Sequence, residues 1–122
     1  AVLDSLIVCK FLRKCFGDFY GESADFLSRV TGWDFSSVEL RRVGERINVM
    51  KKLFNMREGW QPVDDWLPVR LLKEKLADGV AQGTGLTPAE LREMIQSYYE
   101  ARGWDETGTV PQQKIAELGI QL

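Results

Sequence analysis

The chain of 122 residues contains no histidine. That removes the usual general base and the commonest transition-metal ligand. Cysteine occurs twice, at Cys9 and Cys15. Two thiols cannot close a four-thiolate zinc or iron–sulfur site, and their spacing matches no common metal or redox pair. Nor do they suggest a secreted disulfide scaffold, so a reduced, cytoplasmic setting is expected. No apolar run approaches the roughly 18 residues that cross a bilayer. The opening run is broken by Asp4 and has no basic residue ahead of it, unlike a signal peptide. Neither charge dominates: 16 basic and 18 acidic residues are mixed along the chain for a net charge of −2. That offers no electrostatic footprint for nucleic acid or an anionic membrane. An initiating methionine is missing as well, and Ala1-Val2-Leu3 is apolar from the first residue. Natural termini are more often polar and loosely held, so a fragment from the end of a longer protein is expected.

What is present suits one ordinary core, with 44% hydrophobic and 28% charged residues. The pattern is helical throughout, because β-branched residues never alternate with polar ones long enough for a half-buried strand. Asp4 is a plausible N-cap of a first helix, with Leu3 and Val8 as its hydrophobic staple and Gly17 as its stop. A second helix is expected over residues 23–31, ending at Gly32. Ser36-Ser37-Val38-Glu39 opens the longest helix as a capping box. Leu40, Val43, Ile47, Met50 and Phe54 then give it one apolar face, and Gly59 ends it. A loop with Trp60 and Trp66 follows, Pro68 starts a short helix or turn, and residues 78–85 form a glycine-rich connection. Thr87-Pro88-Ala89-Glu90 is a second capping box, with Leu91, Met94, Ile95 and Tyr98 as the expected buried stripe up to Gly103. A short last helix carries Ile115 and Leu118. The expected fold is all-α, an irregular multi-helical domain of about five to six helices, with residues 1–122 as a single domain.

On residue type alone, Cys9 reads as a buried small apolar side chain in a helix, and Asp4 as a cap. Cys15 carries no further signal. Asp64-Asp65 reads as a solvated turn, and Tyr98, Tyr99 and Trp104 as core or interface aromatics.

Residue order says more. Glu45-Arg46-Ile47 leads to Lys52-Leu53-Phe54-Asn55-Met56-Arg57-Glu58-Gly59-Trp60. Asp64-Asp65-Trp66-Leu67-Pro68 follows, then Tyr98-Tyr99-Glu100-Ala101-Arg102-Gly103-Trp104-Asp105, and last Ile115-Ala116-Glu117-Leu118-Gly119. These blocks resemble, in the same order, the C-terminal end of the tungstopterin aldehyde:ferredoxin oxidoreductases. The family also has an Asp-x-x-Gly-x-Cys motif, often followed by Lys-Phe, and Asp4, Cys9, Lys10 and Phe11 stand at its positions. Ile7 takes the place of the motif's glycine, and a branched side chain there opposes close backbone approach of a cofactor.

The resemblance implies that Cys9 is the fourth thiolate ligand of a [4Fe–4S] cluster and lies close to a pterin, the other three ligands coming from outside this chain. It also implies that Asp4 hydrogen-bonds one of the two pterins (bis-molybdopterin) holding tungsten or molybdenum. The implied partners are the remaining domains of the parent enzyme, ferredoxin and an aldehyde substrate, with no nucleic acid and no membrane. The implied reaction is aldehyde to carboxylic acid, with the isolated fragment inactive and free of cofactor. Two alternatives stand beside it: a stand-alone helical interaction module, and a related tungsten enzyme acting on a carboxylate or aromatic thioester. A domain taken from a larger enzyme should also expose an apolar patch, expected at Leu6, Val8, Cys9 and Leu12.

Overall fold

Thr87 opens its helix as the sequence foretells. Its hydroxyl accepts from Glu90 N at 3.2 Å, and Thr87 N donates back to the Glu90 carboxylate at 2.8 Å. Proline sits in the first turn, and Gly103 ends the helix in the left-handed region at φ 66°. In this computed structural model, which describes residues 1–121, the helices follow one another as α1 (Val2–Ser5), a 3₁₀ helix (Lys10–Cys15), α2 (Phe19–Thr31), α3 (Ser37–Arg57), a second 3₁₀ helix (Pro62–Asp65), α4 (Val69–Lys73), α5 (Pro88–Arg102) and α6 (Gln112–Glu117). There is no strand among the described residues, so the chain is all-α. With the 3₁₀ helices included, the helix count lies slightly above the five to six expected.

The chain divides into two compact units. Ala1–Lys52 and the residues from Leu118 onward form the first, and Leu53–Glu117 the second. In the first unit Val2, Ala24 and Leu40 make the buried centre, with Leu6, Phe19, Tyr20, Leu27 and Phe35 packed against it. Gly44 on α3 is buried because a β-carbon there would run into Val2; its absence lets α1 lie directly on α3. The Arg46 guanidinium also donates to the Leu118 carbonyl at 2.7 Å. α2 starts four residues earlier than expected. Glu22 explains this, since its carboxylate accepts from both Gly17 N and Asp18 N at 2.8 Å and holds the chain at the helix entrance.

In the second unit Leu91, Tyr99, Val110 and Ile115 are buried. The expected stripe on α5 needs correction. Met94 and Tyr98 are exposed, whereas Tyr99 is only 2% exposed. The glycine-rich stretch lies within this unit and folds on itself, with Leu76 N donating to Thr84 O and Gly83 N to Leu76 O, each at 2.9 Å. On α3 the expected face is also shifted: Leu40, Gly44, Val49 and Lys52 are buried, while Met50 and Phe54 are exposed.

Candidate functional site

The stretch from Asp4 to Cys9 is not one capped helix. Asp4 lies inside α1, whose cap position is Ala1, and the helix stops after Ser5. The break falls at Ile7, which stands in the left-handed region at φ 55°. Val8 N donates to Leu3 O at 2.9 Å and Ile7 N to Asp4 O at 3.2 Å. That pair of bonds is a Schellman cap, and its left-handed position is ordinarily glycine. A branched residue there is strained by about 1–2 kcal/mol. The backbone thus holds an isoleucine in a conformation that glycine adopts without that cost.

Cys9 then caps the 3₁₀ helix that ends at Cys15, and both thiols are free and exposed. This corrects the reading of Cys9 as a buried core residue. Asp4 is also exposed, its side chain 83% accessible. The structure therefore places the carboxylate and the thiol on either side of one pinned turn, both open to whatever approaches. Beside them a groove of about 410 Å³ is lined by Leu6, Val8, Leu12, Phe16, Phe26 and Leu27. Leu6 and Val8 are half-buried, while Leu12 is exposed and Ile7, 94% exposed, adds to the apolar surface.

A second constellation lies in the other unit. The carboxylate of Asp65 receives Tyr99 Oη–H at 2.6 Å on one oxygen and Trp60 Nε1–H at 3.0 Å on the other. Burial, then the bond to Asp65 and its charge, pushes the Tyr99 phenol well above its ordinary range. Gly108, at φ 78°, comes so close to the Tyr99 ring that a β-carbon would overlap it. Asp105 holds the following turn, its Oδ1 accepting from Thr107 N and Thr109 N at 2.9 Å and from the Thr107 hydroxyl at 2.7 Å. Those bonds, the Thr107 hydroxyl first, lower the Asp105 pKa. Asp65 is accordingly a structural acceptor rather than a solvated turn residue. The only local hint in the sequence was Trp60, a donor five residues ahead of Asp65; Tyr99 lies 34 residues beyond it. Asp64 closes its own turn by accepting from Gln61 N at 2.8 Å.

Among the described residues no group of three or more His, Cys, Asp or Glu is placed to hold a metal ion. No helix there is long and apolar enough to cross a membrane. By donor type alone, an exposed thiol and an exposed carboxylate on either side of one turn are compatible with one ligand to an iron–sulfur cluster and one hydrogen-bond acceptor for a pterin edge.

An all-α chain with a Schellman turn between an acid and a thiol defines a class only loosely, and comparison narrows it. Residues 1–120 match the family model described as aldehyde ferredoxin oxidoreductase, domains 2 & 3. The chain belongs to that family. It is 38% identical over 122 residues to the tungsten-containing aldehyde ferredoxin oxidoreductase of Pyrococcus abyssi. Against the enzyme of the same name from Pyrococcus furiosus it is 39% identical over 121 residues. These alignments take in 99% and 98% of this chain but 19% of each relative. A more distant relative, at 27% identity over 126 residues, is the aliphatic sulfonate oxidoreductase, WOR-like subunit, of Pyrococcus furiosus, with 98% of this chain and 20% of that protein covered.

Proposed function

We propose that this chain is the C-terminal region of a tungstopterin enzyme that oxidises an aldehyde to a carboxylic acid. The observation that carries the reading is the end-to-end match of residues 1–120 to the family. The accessible Asp4 and Cys9, held across one turn, and the uncovered apolar groove beside them support it. In balance, an aldehyde and one water give a carboxylic acid, two protons and two electrons. When bound, the tungsten bis-pterin and the [4Fe–4S] cluster supply the redox chemistry and pass the electrons on to ferredoxin.

The chain's own residues do three things in this account. Cys9, as a thiolate, is one cluster ligand, and binding to iron removes the cost of its charge next to apolar neighbours. Asp4, acceptor-only when ionised, takes N–H groups of a pterin and orients it. Leu6, Val8 and Ile7 keep water from the thiolate once the rest of the enzyme covers them, which helps set the cluster potential. The three remaining thiolates come from the rest of the parent polypeptide, so the isolated chain is inactive. A reduced, cytoplasmic compartment suits two free exposed thiols.

The similarity to a sulfonate oxidoreductase favours a second reading, the same architecture acting on a different oxidisable substrate. Metal analysis of the anaerobically purified full-length enzyme, with aldehydes and aliphatic sulfonates as alternative reductants of a viologen dye, tests both. Tungsten and iron with aldehyde-driven reduction are expected. A protein lacking both metals would sink the proposal, and reduction by sulfonates alone would select the second reading.

A further inference from the structure

Residues 6–17 hold three cations, Lys10, Arg13 and Lys14, and no anion, in a chain whose net charge is −2. All three lie on the 3₁₀ helix Lys10–Cys15 and are exposed. Other arginines find carboxylates: Arg29 with Asp25, Arg57 with Glu58, Arg70 with Glu74. Among the described residues, none of these three cations forms an ion pair. Residues three apart eclipse in a 3₁₀ helix. Lys10 therefore stands over Arg13, and Phe11 over Lys14. Phe11 is 89% exposed. The result is an exposed aromatic ring beside uncompensated positive charge, the make-up of a surface that meets an acidic protein briefly.

Position adds the second argument. Cys9 is the cap residue of this same helix, so a protein held on it lies beside that thiol. We propose that the Lys10–Cys15 helix is the docking surface for an acidic protein that carries one electron at a time. This rests on the reading of Cys9 as a cluster ligand. Two electrons leave each aldehyde and the carrier takes one, so two carriers must bind and depart in each cycle. Electrostatic steering suits such traffic, since it raises the encounter rate without requiring a tight complex.

The test uses the full-length enzyme, wild type and Arg13→Glu with Lys14→Glu, and a small acidic [4Fe–4S] ferredoxin as probe. Arg13→Gln with Lys14→Gln removes the charge with less disturbance, should reversal impair folding. Three readouts are taken: affinity of oxidised enzyme for oxidised ferredoxin against salt, the reduced cluster's electron paramagnetic resonance signal, and aldehyde-driven reduction of the enzyme without any carrier. The expected result is an affinity at least roughly tenfold weaker at low salt, with a flatter salt dependence. Cluster signal and carrier-free reduction should stay as in wild type. Unchanged affinity would overturn the proposal. So would a parallel loss of carrier-free reduction, which would place this helix against the rest of the enzyme. The affinity decides the docking surface and the wild-type cluster signal decides the role of Cys9, so the two ideas fail separately.

Discussion

Tyr99 donates its hydroxyl hydrogen to Asp65 at 2.6 Å, joining residues 34 apart in sequence. Trp60 donates to the other oxygen of the same carboxylate. Three sequence blocks, one from each of these residues, are thus tied at one acid. Removing the phenol with Tyr99→Phe should cost about 1.5–3 kcal/mol, the usual worth of a hydrogen bond to a charged group. Because Trp60 and Tyr99 share one acceptor, Trp60→Phe combined with Tyr99→Phe should depart from additivity. Urea unfolding of the single and double variants checks both points, and strict additivity would contradict the shared acceptor.

The same phenol gives a pH dependence. Its pKa is raised in the fold, by burial first and then by Asp65. The folded state keeps a proton that the unfolded chain gives up above about pH 10. The contribution is therefore complete below about pH 10 and lost as pH rises from there through the folded pKa. Asp105 acts in the opposite sense. Its lowered pKa contributes stability above the unfolded value of 3.8, lost as pH falls through the folded value. Stability measured from pH 8 to 11 should drop less steeply in Tyr99→Phe than in wild type.

Gly108 meets two demands at once, a left-handed backbone and room for the Tyr99 ring. Gly108→Ala should destabilise by about 2–4 kcal/mol, combining backbone strain with overpacking. A thermal melt compared with Gly119→Ala separates the two terms. Gly119 has a similar φ of 64° but nothing within 4 Å of a β-carbon, so it should show the backbone part alone.

Ile7 is the reverse case, a branched residue held where glycine is preferred. In the isolated chain its side chain is 94% exposed and buries almost nothing. Ile7→Gly should then raise stability by about 0.5–1 kcal/mol, the relief of strain less the larger entropy of glycine in the unfolded chain. Denaturant midpoints measure this, and a loss of stability would show that the turn does not carry the strain described.

Local chemistry announced much of this fold. The Thr87 box, the Ser36 hydroxyl accepting from Glu39 N at 3.1 Å, and the left-handed stops at Gly32 and Gly103 are all set by neighbouring residues. Periodicity misplaced the buried side of α5, because a hydrogen bond to Asp65 and the closeness of Gly108 draw Tyr99 inward, and neither partner lies on the helix. The first helix failed for a related reason. Apolar spacing predicts continuity through residues 4–17, but the chain turns at Ile7, a residue whose type gives no sign of a left-handed turn. Asp4 and Cys9 came from the family's motif and from nothing in composition, since an acid and a lone thiol in an apolar run look like a cap and a core residue.

Cys9 is proposed here as a ligand of a [4Fe–4S] cluster in the full-length enzyme. The most direct measurement is iron content with the reduced-state electron paramagnetic resonance spectrum, recorded anaerobically for wild type, Cys9→Ala and Cys15→Ala. Loss or marked alteration of the cluster signal in Cys9→Ala, with Cys15→Ala like wild type, is the predicted result. An unchanged signal and full iron in Cys9→Ala would contradict it.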